Sequence, residues 1–207
     1  MTAPLAHPIN QAEETNWVAM ACHGDREAFN RLAAHYQRPI FNLCYRMLGN
    51  RLEAEDAAQE AFMRAYLKLD TYNAQYKFST WLFSIAAHYC LDRLKMRRLR
   101  LISWVDLPPW SQFSSGEISC PEMMLINSET AQEVNHLLQT LQPDYRAVVT
   151  LKYWHDMSCE EIAQALRTTP GAVKSKLFRA RQKLAEAINQ PQTRGLATPG
   201  RPRPAVS

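Results

Sequence analysis

Apolar residues recur at intervals of three and four through most of this chain. Phe29, Leu32, Ala33, Tyr36, Ile40, Leu43, Cys44 and Met47 follow the i, i+3, i+4, i+7 spacing of an amphipathic helix. Proline has no N–H to donate, so Pro39 is expected to kink or divide that helix. Gly49-Asn50 is expected to stop it. A second helix is expected from about Leu52 to Leu69, its stripe made by Ala58, Ala61, Phe62, Ala65 and Leu69. Small alanines there allow close packing. Asp70 to Lys77 breaks the spacing and reads as a loop. Ser79 or Thr80 is placed to cap a third helix to about Arg98, with Trp81, Leu82, Ile85, Tyr89 and Leu94 facing inward.

Helical spacing then lapses. Pro108-Pro109, Ser114-Ser115-Gly116 and Pro121 mark 101–130 as a linker, with Trp104, Trp110 and Phe113 scattered along it. From about Ser128 the spacing returns through Val134, Leu137, Leu138 and Leu141, and is expected to stop at Pro143. Asp144 or the turn before it starts a helix through Val148, Leu151 and Tyr153. Ser158 caps a short helix, Cys159 to Leu166, and Arg167-Thr168-Thr169 is a turn. Pro170 sits in the first turn of a last helix reaching about Ile188, where proline is favoured. Pro191, Pro199, Pro202 and Pro204 give 189–207 the composition of a disordered tail. The chain therefore reads as a leading segment (1–23), a helical block (24–100), the linker (101–130), a second helical block (131–188) and the tail.

Composition narrows the class. With 207 residues, 46% hydrophobic and only six Gly, the chain suits an all-α fold of two small domains. The net charge of +4 is mild, but its distribution is uneven. Five of the eight residues from Arg93 to Arg100 are basic, and so are five of the ten from Lys174 to Lys183. Between them, Leu101 to Tyr145 holds no Lys or Arg and six acids. Two basic blocks point to two separate anionic contacts; taken alone, solvated helix faces explain them equally well. No Lys or Arg precedes Arg26 and no apolar run approaches a membrane span, so neither a secretory signal nor membrane insertion is expected. Five scattered Cys without a CxxC pair suit a reducing cytoplasm rather than disulfides or zinc. No metal or other cofactor is expected. His155, Asp156 and Cys159 lack a Gly-rich oxyanion loop or metal-ligand spacing, so no catalysis is expected.

The short helix, tight turn and longer basic helix of the second block form a helix-turn-helix pattern. Ile162, Ala163 and Leu166 would meet Val173 and Leu177, turning Lys174, Ser175, Lys176, Phe178, Arg179 and Arg181 outward. Arg and Lys can address guanine edges or phosphates, and the helix start at Pro170-Gly171 can hold a phosphate. Phe178 fits either the core or a base contact. The segment LQPDYRAVVTLKYWHDMSCEEIAQALRTTPGAVKSKLFRARQKL, Leu141 to Leu184, resembles region 4 of the sigma-70 family, in its extracytoplasmic-function (ECF) form. That resemblance implies recognition of the −35 promoter element.

The first block is similar to sigma region 2. GDREAFNRLAAHYQRPIFNLCYRMLGN resembles region 2.1, and EAEDAAQEAFMRAYLKL resembles region 2.2. There a D-x-x-Q-x-x-F pattern (here Asp56, Gln59 and Phe62) docks on core RNA polymerase. Asp56, Gln59, Glu60 and Met63 share one helix face, the spacing a partner helix needs. KFSTWLFSIAAHYCLDRLKMRR resembles regions 2.3 and 2.4, which melt and read the −10 element. Melting needs a basic track and faces for unstacked bases. Tyr72, Tyr76, Lys77, Phe78, Trp81, His88, Arg93, Arg97 and Arg98 are the candidates, Trp81 being equally a core residue. By resemblance, the Tyr72 to Lys77 loop holds the flipped base. His88 stands where the family has Asn. The resemblance further implies an alternative sigma factor held by an anti-sigma partner, and a linker threading the polymerase cleft. A stand-alone helix-turn-helix regulator remains the alternative reading; it leaves the polymerase-docking pattern unexplained.

Overall fold

The computed structural model describes residues 10–103 and 129–189, and all regular structure among them is helical. Eight α-helices run in order: α1 (Gln11–Cys22), α2 (Arg26–Leu48), α3 (Arg51–Leu67), α4 (Phe78–Ser103), α5 (Glu129–Gln139), α6 (Pro143–Trp154), α7 (Cys159–Ala165) and α8 (Pro170–Asn189). A 3-10 turn, Leu69–Thr71, follows α3. Most of the linker, including Trp104, Trp110 and Phe113, and nearly all of the tail lie outside the described residues.

Short polar side chains set the helix starts. Asp25 accepts from the Glu27 and Ala28 amides at 2.9 and 3.1 Å, and Asn50 from the Glu53 amide at 3.0 Å. Ser158 and Glu161 complete a reciprocal capping box at α7. Gly49 ends α2 at φ 76°, a left-handed cap open to glycine at little cost.

Three boundaries depart from expectation. Pro39 does not divide α2, which runs unbroken from Arg26 to Leu48. Both halves of that helix bury residues in one core (Leu32 and Tyr36 before the proline, Ile40, Leu43 and Met47 after it), and this packing outweighs one lost hydrogen bond. α4 begins at Phe78, ahead of Ser79, and continues past Arg98 to Ser103. Pro143 opens α6, where its missing N–H costs nothing.

α2 is the axis of the first body, with α1, α3 and α4 packed around it. Ala54, Ala57, Ala58, Ala61 and Ala65 are the buried side of α3, so its backbone comes close to its neighbours. The second body gathers Leu138, Leu141, Val148, Leu151, Ile162, Val173 and Leu177. The bodies touch: α5 and α6 pack on α2, and α6 and α7 on α4. At this junction the buried Arg146 guanidinium donates to the carbonyls of Met47, Gln139 and Leu141 and to Gln139 Oε1. Gln139 Nε2 donates to the Arg46 carbonyl at 3.1 Å. A Cβ on Gly49 would fall 2.7 Å from the end of the Gln139 side chain, which would have to move aside.

Candidate nucleic-acid interface

Three surfaces carry the residues singled out by sequence. On α3, Asp56 and Gln59 are exposed, Met63 is 54% exposed, and Glu60 is half-buried in an ion pair with Arg64 at 2.7 Å. They lie opposite the alanine stripe, so the helix is anchored on one side and free on the other. Phe62 is only partly buried against the core.

The second surface is the loop before α4 and the exposed side of α4. Tyr72, Phe78 and Trp81 cluster, their ring centroids 5.4 to 5.6 Å apart. Phe78 is 4% exposed and forms the floor of this cluster; it offers no free face for stacking. Trp81 and Tyr72 are partly open, and Tyr76 is exposed. Trp81 thus has one side against the core and one toward solvent. Lys77 reaches across to Glu161 of the second body at 2.8 Å, which raises the lysine's pKa and lowers the carboxylate's.

Farther along α4, His88 Nδ1 lies 2.7 Å from the Ser84 carbonyl. A carbonyl only accepts, so Nδ1 carries the proton of this bond, and Nε2 is the one ring nitrogen left for another partner. Arg93 donates to the Tyr89 hydroxyl at 3.1 Å, and Arg97 pairs with Glu53 at 3.8 Å. Arg98 is exposed. The row is basic, with part of its charge turned toward the protein.

The third surface is α8. Val173, Leu177 and Ala180 are buried, while Pro170, Gly171, Lys174, Ser175, Arg179 and Arg181 are exposed. Phe178 is 59% exposed, so the core reading of this residue is dropped. Lys176 points back to Asp144 of α6 at 3.1 Å and is the least free of the basic group. The turn before α8 holds Arg167 at φ 51°, and Thr169 caps the helix by accepting from the Ala172 amide at 3.2 Å.

A positive helix end, an open basic face and a short packing helix make α7 and α8 a helix-turn-helix. The sigma-70 region 2 family model matches residues 32–100, and the sigma-70 region 4 model matches residues 131–184. The ECF RNA polymerase sigma factor SigW of Bacillus subtilis is 35% identical, covering 80% of this chain and 91% of that protein. The chain belongs to the ECF group of the sigma-70 family. The RNA polymerase sigma-H factor of Pseudomonas aeruginosa is 31% identical over 87% of this chain and 96% of its own length. The ECF RNA polymerase sigma-E factor of Escherichia coli K12 is 35% identical over 80% and 88%. The sigma-factor fold is shared with solved structures: CnrH in complex with the cytosolic domain of CnrY (TM-score 0.63, 22% identity, 85% of this chain and 97% of that one), and RpoE with the anti-sigma factor NepR from Bartonella quintana (TM-score 0.63, 21%, 79% and 98%).

Sequence reasoning missed two features of this sigma factor. One is the junction built on Arg146, whose partner Met47 lies 99 positions away. The other is the packing of α1 against the rest of the first body, with Cys22 Sγ 3.9 Å from the Leu69 carbonyl. Neither leaves a periodic trace.

Proposed function

We propose that this sigma factor binds core RNA polymerase and directs it to promoters through two separate DNA contacts, without chemistry of its own. The observation that carries the reading is the coexistence, on one chain, of an open polar α3 face and an open basic α8 face. A regulator acting alone needs the second and has no use for the first.

Asp56, Gln59, Glu60 and Met63 of α3 would meet the polymerase. Tyr72, Tyr76, Lys77 and Trp81, with Phe78 as support, would hold unstacked −10 bases, each stacked base contributing about 1–3 kcal/mol. His88, Arg93, Arg97 and Arg98 would follow the adjacent duplex edge. An Asn can pair with adenine through both donor and acceptor; His88, with Nδ1 committed to the Ser84 carbonyl, has a single nitrogen left, which supports a −10 preference differing from that of relatives with Asn. Pro170, Gly171, Lys174, Ser175, Lys176, Phe178, Arg179 and Arg181 would dock α8 in the −35 major groove. The domain limits 24–100 and 131–188 follow these roles. The linker acids Asp106, Glu117 and Glu122 would suit a basic polymerase channel. An anti-sigma partner is supported by the RpoE–NepR complex that shares this fold. No described helix is long and apolar enough to cross a membrane, and a cytoplasmic location follows from the proposed partners.

Capture of core polymerase tests the reading. Wild-type protein should retain the core enzyme, and the Asp56→Arg, Gln59→Ala double variant should lose it while staying folded. A wild type that captures no polymerase yet binds duplex DNA tightly by itself would overturn it in favour of a stand-alone regulator.

A further inference from the structure

The −10 candidates rest on a helix that contributes none of them. Phe78 is the inner corner of the Tyr72–Phe78–Trp81 triangle, and the Tyr36 ring of α2 lies beneath it at 5.8 Å. The Tyr36 hydroxyl donates to Glu14 Oε1 of α1 at 2.6 Å. Tyr72 in turn donates its hydroxyl to the Tyr76 carbonyl at 2.6 Å, bracing the exposed part of the loop. An unbroken series of contacts therefore runs from Glu14 through Tyr36 and Phe78 to the two rings open to solvent.

The first member of the series is polar and the rest are apolar, and this gives it direction. Tyr36 is buried, so its ring can rotate or tilt only as far as its neighbours yield. Its hydroxyl has a half-buried carboxylate as acceptor, and a bond from hydroxyl to carboxylate is about twice as strong as a neutral one. Burial first, then the Glu14 bond and charge, drive the Tyr36 pKa upward, so the donor proton stays on the phenol. Binding sites tolerate errors of about 0.5 Å before affinity falls.

We infer that Glu14 and Tyr36 are positioning residues for −10 recognition: their hydrogen bond seats Phe78, and Phe78 sets the Tyr72 and Trp81 faces that an unstacked base would meet. The inference rests on the proposed role of the Tyr72–Trp81 surface. It makes α1, which lies ahead of the matched region 2 segment, part of the DNA-reading apparatus.

The test uses holoenzyme and a promoter selected by the wild-type holoenzyme from duplexes randomised over both elements. Opening is read by permanganate reactivity of −10 thymines, beside core affinity and discrimination at each element. Tyr36→Phe and Glu14→Ala should slow opening about tenfold, equivalent to about 1.4 kcal/mol, and flatten −10 discrimination. Core affinity and −35 discrimination should hold. Glu14→Gln keeps an acceptor and should recover most of the loss. Unchanged opening and −10 discrimination would overturn the inference, as would a proportional fall in core affinity and −35 discrimination. A wild-type holoenzyme that opens no promoter would overturn the functional reading itself, and the inference with it.

Discussion

His155 shows how much one side chain at the junction can decide. Its ring lies 4.3 Å from Phe83 of α4, and Nε2 has no hydrogen-bond partner among the described residues. Burial, and then the nearby Arg46 charge, lower its pKa to about 4, with Asp156 opposing weakly. Between pH 6.5 and 4 the unfolded chain therefore binds a proton that the folded chain refuses, so stability falls as pH falls through this window. At about 1.4 kcal/mol per pH unit, the loss reaches on the order of 3 kcal/mol. Urea unfolding at pH 7, 6, 5 and 4 should show this decline in the wild type and a shallower one in His155→Gln. Glu161, held low by Lys77, acts in the same direction but below its ordinary value, so the difference between the proteins isolates the histidine. Parallel curves would remove His155 from the account.

At the scale of the element, the proposed −35 face of α8 holds both paired and free cations. Lys176 is paired with Asp144, whereas Lys174 and Arg179 face solvent. Removing a phosphate contact lowers the salt slope by about one and weakens all sequences alike; removing a base contact costs about 1–3 kcal/mol at one position. Lys176→Ala should therefore change −35 binding and its salt slope least, and Lys174→Ala or Arg179→Ala more. Binding to −35 duplexes over a salt series checks this, and Lys176→Ala giving the largest loss would reverse the assignment. Much of α7 and α8 was legible in sequence, because Ser158, Pro170 and the spacing of Ile162, Val173 and Leu177 are local signals. The same holds for the α3 faces. What was not legible is contact between distant positions: Lys176 with Asp144, Tyr36 with Glu14, and the buried place of Phe78. Pro39 misled for a related reason, since a local rule about proline met a core that packs both halves of α2.

For the whole molecule, the junction and the DNA make opposing demands. By their labels, the proposed −10 and −35 elements lie about 25 base pairs apart, about 85 Å of duplex at 3.4 Å per pair. A compact chain of this length has a radius of gyration of about 17 Å, too small to reach both elements while the two bodies remain packed. Residues 104–128 could span at most about 85 Å if fully extended, which suffices once the junction parts. Polar groups among the junction's contacts favour parting. Arg146 keeps a lowered pKa of about 10 yet remains charged, Arg46 lies 4.5 Å over the Trp154 ring, and Lys77, itself exposed, pairs with the half-buried Glu161. Such groups regain water on separation, whereas an apolar seam would not. Fluorophores at Arg38 and Gln182, both exposed, should report a short distance in the free protein and a much longer one in holoenzyme on promoter DNA. Arg146→Met should lengthen the free-state distance, since Met47, Gln139 and Leu141 lose their shared donor. A distance that stays short on the promoter would mean that the packed form itself engages DNA, and the argument from reach would fail.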